Sequence, residues 1–346
     1  MIERLSPLAQ TTYVDLVAAL QDEAVAAVRG TPSRVTRGKR AYWYDMYRIG
    51  ASVRRSYIGE DTPELRARLE RERPGADDLE RQRYRARLIR VLRAEGFMGT
   101  DAATGSLLGA MQKAGVFRLG GVLVGTAAFR LYQGELGLRY RLDDTAQTND
   151  IDIASFERLS LALEDVVSES LQNVLADFEF DPVPSLDPGK VWRWRQTRSN
   201  LLVEFLTPSF DADEGIRPLA ALGVEAQALH YLNYLIAEPV AAALTYRSGV
   251  LIHIPRPERF AIHKLIVADR RREGVDSLKA VKDRAQAAFL INALSEDRPD
   301  DLAEAYEDAM ARGSRWRERI AATLRRMPEA TARLEASGIS SLTRTE

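Results

Sequence analysis

Cysteine is absent from all 346 residues, which excludes a disulfide framework, a thiol nucleophile and any thiolate-held metal. Histidine occurs three times, too few and too scattered for an imidazole-rich zinc site, so any metal must be held by carboxylates. Neither sign of charge dominates: 49 Lys plus Arg stand against 50 Asp plus Glu, giving a net charge of -1. The global positive field that drives non-specific nucleic-acid binding is therefore missing, and only a local basic face remains open. Lysine itself is scarce, six of the 49 basic residues. No apolar run reaches the ~18 residues of a membrane span. The first twenty residues already carry Glu3, Arg4 and Asp15, so neither a signal peptide nor a membrane partner is expected, and the chain reads as cytoplasmic. What is present, 45% hydrophobic and 29% charged residues, suffices for a sizeable core and one large or two moderate domains.

The spacing of Leu8, Tyr13, Leu16, Val17, Leu20, Ala24 and Val28 predicts a helix over Leu5–Val28. From Arg37 the texture turns aromatic and β-branched, through Tyr42-Trp43-Tyr44 and on to Gly59, which predicts a β-hairpin or small meander at about 37–59, turning near Gly50. Its rings interleave with Arg37, Lys39, Arg40, Arg48, Arg54 and Arg55. Two readings stay open. Either the rings pack on neighbouring helices while the arginines are solvated, or the sheet stacks bases and grips an RNA or tRNA backbone, with Arg54, Arg55 and Tyr44 touching the acceptor. Pro63 to Ala94 is dense in charge of both signs and predicts two solvated helices broken at Pro74-Gly75. Further on, Ser160–Leu175 reads as a helix, Lys190–Arg195 and Ser199–Phe205 as adjacent strands, and Pro208–Leu219 as a loop. Val250–Ile254 reads as a short strand, and helices follow from Glu258. The expected organisation is an N-terminal region of helices and hairpin (1–96), a mixed-sheet core (97–255) and a C-terminal helical domain (256–346).

Three segments carry chemistry. Val116 to Thr126 is apolar and glycine-interrupted and leads into a helix start, a place whose free N–H groups suit a phosphate. Thr148 to Ala154 alternates so that Asp150 and Asp152 share one face, with Ile151 and Ile153 on the other. Two carboxylates so placed repel unless a cation offsets them, and their spacing suits Mg2+ or Mn2+. Glu204, inside the apolar strand Leu202–Leu206, is the natural third carboxylate. Trp192 and Trp194 read as ordinary sheet packing, and His230 and His263 as structural residues.

Gly120 to Phe129, Thr148-x-Asp150-Ile151-Asp152-Ile153-Ala154, Leu202 to Pro208 and Pro255 to Lys264 together resemble the polymerase-beta-like nucleotidyltransferase superfamily, and within it a bacterial branch related to toxin-like enzymes. The resemblance spans about Val116 to Asp283. It implies an α+β fold, an NTP substrate such as ATP, and transfer of a nucleoside monophosphate to a hydroxyl with release of pyrophosphate. It implies that Asp150 and Asp152 hold the nucleotide's metal, that Glu204 completes a second metal site, that Gly125 and Thr126 receive phosphate oxygens, and that Lys264 reaches the phosphates. Arg256, Arg270 and Arg271 are further phosphate or acceptor candidates, and Asp283, after Lys282, is expected in a salt bridge. The toxin-like branches imply a regulatory or antitoxin protein as partner. RNA, a protein side chain and a small molecule all remain open as acceptors. So does a catalytically inert nucleotide- or RNA-binding regulator on the same fold.

Overall fold

The computed structural model describes residues 3–26, 31–37, 40–49, 52–71, 78–140, 150–157, 165–185, 187–273 and 277–339. The expected turn at Gly50, the break at Pro74-Gly75, Thr148 and the start of the expected helix at Ser160 lie outside the described residues, as do the side chains of Arg48 and Arg54.

The N-terminal region runs α1 (Pro7–Ala26), β1 (Thr31–Arg37), β2 (Arg40–Ile49), β3 (Ser52–Glu60), α2 (Pro63–Arg71) and α3 (Asp78–Ala94). Ser6 caps α1, its Oγ accepting the Ala9 N–H at 3.1 Å. Ala9, Tyr13, Leu16 and Leu20 form the buried stripe of α1, and they meet Leu88, Ile89 and Leu92 of α3 and Ala243. The heavy charge of α3 thus conceals an apolar edge, and the helix is not solvated all round.

The hairpin is a three-stranded antiparallel meander in the order β1-β2-β3. Its first strand begins six residues before the sequence signal at Arg37, because Thr31 to Arg34 carry no aromatic or alternating pattern. Both faces meet other elements. On one, Tyr44 is completely buried, edge-on to Tyr57 at 5.6 Å. There the Tyr57 N–H donates to Asp165 at 2.7 Å and its carbonyl accepts from Arg118 at 2.9 Å. On the other, Trp43 Nε1 donates to Asp61 at 2.8 Å, Arg34 and Arg66 pair with the same carboxylate, and Gly59 lies against Leu65 of α2.

The central part continues with α4 (Ala102–Ala114), β4 (Val122–Val124), α5 (Gly125–Phe129), α6 (Tyr132–Glu135), β5 (Asp150–Ala154), α7 (Leu171–Asp177), β6 (Phe180–Pro182), β7 (Arg193–Gln196), β8 (Leu202–Pro208), β9 (Ile216–Leu219), β10 (Val224–Leu229) and α8 (Leu232–Leu235). The sheet is mixed, in the order β4-β5-β8-β10-β9, with β7 also pairing β8 and β6 pairing β7. β8 runs parallel to β5 and β10, while β4 is antiparallel to β5. An antiparallel ribbon, β11 (Val240–Leu244) and β12 (Val250–Ile254), stands apart. Residues 165–170, expected in a helix, are not helical. Their backbone is engaged elsewhere: Val167 N–H donates to Ala221 at 2.8 Å and Ser168 N–H to Ala114 at 2.9 Å. β9, expected as loop, is held by its pairing with β10.

Five helices close the chain: α9 (Pro257–Arg270), α10 (Ser277–Asp297), α11 (Pro299–Ala311), α12 (Ser314–Leu324) and α13 (Pro328–Ala336). α9 is buried on nearly every side and packs against α10, α11 and α12, the pattern of a central core helix. One apolar cluster runs from Leu107 to Ile339, so the sheet and the C-terminal helices share a core that passes Pro255 without interruption.

Candidate active site

Strand register builds the site. Asp152 lies beside Val124 on β4 and Glu204 on β8, and Asp150 lies beside Leu202. Directly paired residues point to one face, so Asp150, Asp152 and Glu204 share a face of the sheet. Asp152 and Glu204 are direct register partners on adjacent parallel strands and act on each other's ionisation. Burial first, then the neighbouring Glu204 and Asp150 carboxylates, push Asp152 up to about 7. Burial also raises Glu204, against the pull of Arg193, whose guanidinium is 3.5 Å away. The pair therefore holds a proton more tightly than ordinary carboxyls and titrates as a unit.

Gly125 explains how this pair is approached. Its φ of +67° is left-handed, and a Cβ there would overlap the Asp152 carboxylate. The chain turns from β4 into α5 directly against Asp152 because no side chain intervenes. α5 has only five residues, so its terminus lacks the aligned peptide dipoles of a long helix. Thr126 is buried and its hydroxyl accepts from Gln286 Nε2 at 3.4 Å, which ties α5 to α10. Gln286 Oε1 is buried with no hydrogen-bond partner among the described residues.

Positive charge comes from the C-terminal helices. Lys264 and Arg271 both act on Asp152. Lys264, itself buried, is paired with Asp283, which also accepts from Arg271 at 2.9 Å. Burial opposes ionisation of Asp283, but these two cations outweigh it and hold the carboxyl below its ordinary range. Lys282 is lowered by burial and by Lys264, and lies in the field of Asp150 and Asp152, while Lys279 acts on Glu204. Burial, with Lys264 next, depresses His263 to about 3, so it is neutral and structural.

The sequence-derived candidates thus divide. Asp150, Asp152, Glu204, Gly125, Thr126, Lys264 and Arg271 come together. Arg256 does not join them: it ion-pairs with Glu238, Glu258 and Asp301 at the opposite end of α9, about 12 Å of helix rise from Lys264. Arg270 pairs with Glu214 at 2.8 Å. Tyr44 is wholly buried and offers nothing to an acceptor, and Arg55 lies over its ring at 5.6 Å. Of the described meander residues Tyr44 and Asp45 are buried, while Tyr42, Trp43 and Tyr57 are partly exposed. Trp194 is buried edge-on to Phe205 at 5.4 Å, as ordinary packing requires. The sequence did not single out Lys279, Arg193 or Gln286 as site residues, nor Lys282. One signal was available: three of only six lysines fall at 264, 279 and 282.

The three carboxylates were expected to hold metal together. Among the described residues no group of three or more such side chains is gathered closely enough to form a finished metal cage. The donor chemistry nevertheless fits a hard divalent cation: oxygen ligands only, with Asp152 and Glu204 each raised by burial and by neighbouring carboxylates, a repulsion that a cation would relieve. Mg2+ is commonly held by one or two carboxylates together with substrate phosphates and water, so a complete protein cage is not required.

A mixed sheet presenting clustered acids beside basic helices is an arrangement that suits phosphate chemistry, and no nucleophile–histidine–acid triad accompanies it among the described residues. A nucleotidyltransferase family model matches residues 102–311, more than half of the chain, and the protein belongs to that family. Nucleotidyl transfer in general is the activity this membership supports. Residues 2–67 match a family described as a domain of unknown function, DUF6788. No curated protein and no solved structure matches the chain. Among the described residues no helix is long and apolar enough to cross a membrane.

Proposed function

We propose that this protein transfers a nucleoside monophosphate from a nucleoside triphosphate to a hydroxyl acceptor, releasing pyrophosphate, with Mg2+ or Mn2+ bound at Asp150, Asp152 and Glu204. The observation that carries this reading is the Asp152–Glu204 pair, side by side on parallel strands with Asp152 against Gly125, in the field of Lys264, Arg271, Lys279 and Lys282. Acids alone would repel a triphosphate, and lysines alone would not position it; their juxtaposition suits a polyanion arriving with its cation. When bound, the divalent cation supplies charge neutralisation at the transferring phosphoryl group.

The residues of the chain do the rest. Lys264 and Lys282 attract the β- and γ-phosphates as point charges, and Asp283 and Arg271 fix Lys264 in place. Gly125 leaves the space that the Asp152 carboxylate fills against the β4–α5 turn. The acceptor oxygen bonds to the α-phosphorus as the bond to the bridging oxygen of pyrophosphate breaks, and the hydroxyl proton passes to the Asp152–Glu204 pair.

The test incubates the protein with each α-labelled NTP, Mg2+ or Mn2+, and pooled cellular RNA, protein and small molecules, beside an Asp150→Ala, Asp152→Ala double variant. Label entering one fraction, and lost in the variant, is the expected result. NTP binding without label in any fraction would replace transfer with an inert nucleotide-binding role.

A further inference from the structure

Strand β7 continues the line of acids. Arg193 is the register partner of Glu204 on one side, as Asp152 is on the other, so Asp152, Glu204 and Arg193 stand in one row across β5, β8 and β7. Arg195 pairs with Leu202, and Leu202 with Asp150, so a second row also ends in a guanidinium. Paired residues share a face, and both arginines therefore rise on the face that carries the acids, while Trp194 between them is buried on the other. We propose that β7 is the acceptor track, and that Arg193 and Arg195 hold backbone phosphates of a single-stranded nucleic acid whose terminal hydroxyl meets Glu204. The inference rests on the nucleotidyl-transfer reading of the neighbouring carboxylates and names the acceptor class for it.

Three observations support the track. The first is unspent donor capacity. Arg193 makes no hydrogen bond among the described residues: it ion-pairs with Glu204 at 3.5 Å, lies over the Trp192 ring at 4.9 Å, and keeps a buried Nε without a partner. Its side chain is 34% exposed, and the ring contact steadies the guanidinium plane. Arg195 is exposed and has neither a hydrogen bond nor an ion pair among the described residues. Asp181, opposite it on β6, accepts from the Thr197 hydroxyl at 2.6 Å instead. Nearby Arg198, by contrast, is held by Glu179 at 3.0 Å. Guanidinium forks with free donors match phosphate oxygens in shape as well as charge.

The second is spacing. Alternate residues of a strand lie ~6.8 Å apart. That separation is on the scale of successive phosphates in an extended single strand, so the two arginines follow a backbone rather than one isolated anion.

The third is the distribution of charge along the reaction axis. Lys264 and Arg271 act on Asp152, whereas Arg193 and Lys279 act on Glu204. In-line displacement places the incoming oxygen opposite the leaving pyrophosphate. Lys264 and Lys282 draw the pyrophosphate, which leaves the Glu204 end of the row to the hydroxyl. A phosphate next to that hydroxyl would be repelled by the acids, and Arg193 offsets the repulsion where it is greatest. An uncharged acceptor would gain nothing from these cations.

The test measures binding of a 5′-labelled single-stranded octamer with a free 3′ hydroxyl to the full chain by fluorescence anisotropy. Titrations run over a series of salt concentrations, with Mg2+ and an α,β-methylene NTP present. Ribo- and deoxyribo-octamers of one sequence separate RNA from DNA as the source. Each phosphate neutralised on a single strand contributes about −0.7 to the slope of log affinity against log salt. Arg193→Gln and Arg195→Gln should each flatten that slope by about 0.7, and the double variant should bind the octamer more than about 10-fold more weakly at low salt. Arg198→Gln, an exposed arginine beside the same strand, should leave octamer and analogue affinities within about two-fold, and thermal midpoints report on the folding of every variant. An unchanged slope in the double variant, no octamer binding by the wild type, or equal binding of a duplex would overturn the proposal. So would a nucleoside monophosphate that binds as tightly as the octamer, which would make β7 a small-anion site. Failure of the analogue to bind, with octamer binding still dependent on both arginines, would instead refute nucleotidyl transfer and remove the acceptor role with it.

Discussion

If the Asp152–Glu204 pair exchanges a proton for a cation, divalent binding must weaken as pH falls. The group concerned has its affinity pushed up to about 7, from an ordinary 3.8, by burial and by Glu204 and Asp150. Displacing one proton from such a group reduces apparent affinity by a factor of 1 + 10^(pKa − pH), about two-fold at pH 7 and about 100-fold at pH 5. Mn2+ affinity, measured by calorimetry or by its paramagnetic signal, should therefore drop about 50-fold between pH 7 and pH 5 and change by only about two-fold from pH 7 to pH 9. Stability of the metal-free protein follows the opposite course. The raised affinity stabilises the fold fully below the unfolded value of 3.8, and that contribution is lost as pH rises through about 7. Thermal midpoints without metal should fall across that window, and Mn2+ should restore them at pH 8 but not at pH 5. Asp152→Asn should abolish both dependences. An affinity that is flat between pH 5 and pH 7 would refute the account of a shared, displaceable proton.

Gly125→Ala places a Cβ at a left-handed φ and against the Asp152 carboxylate, so a backbone cost of roughly 1–2 kcal/mol and a loss of NTP–Mg2+ affinity above about 10-fold are expected; unchanged affinity by calorimetry would show that the close approach is incidental. Tyr44→Ala should lower stability by roughly 3 kcal/mol in denaturant titration while the folded fraction keeps its acceptor affinity, because Tyr44 is wholly buried; selective loss of acceptor binding would reopen the meander as an acceptor surface.

The clustering of the candidate acids was legible because it is local. Asp150 and Asp152 declare their common face through a two-residue period, and Glu204 stands out as an acid within an apolar strand. The C-terminal helices were equally readable, since their apolar positions recur at helical spacing. Strands built from weak formers were not: Val240 to Leu244 is mostly alanine, and Ile216 to Leu219 contains proline, so each owes its conformation to its partner strand.

What the sequence alone determined is which residue types can act, namely oxygen ligands, a glycine turn and a few lysines in an arginine-rich chain. Tertiary structure decided which of them meet. Arg256 and Lys264 lie eight residues apart, a little over two turns, yet of the two only Lys264 reaches the acids, because Arg256 at the start of α9 is bound to Glu238 and Asp301. The tyrosine-rich meander carried a composition fit for bases, but no one-dimensional pattern distinguishes a ring that faces solvent from one that faces another element. Tyr44 became core because Asp165 and Arg118, more than seventy residues away, anchor that face of the sheet.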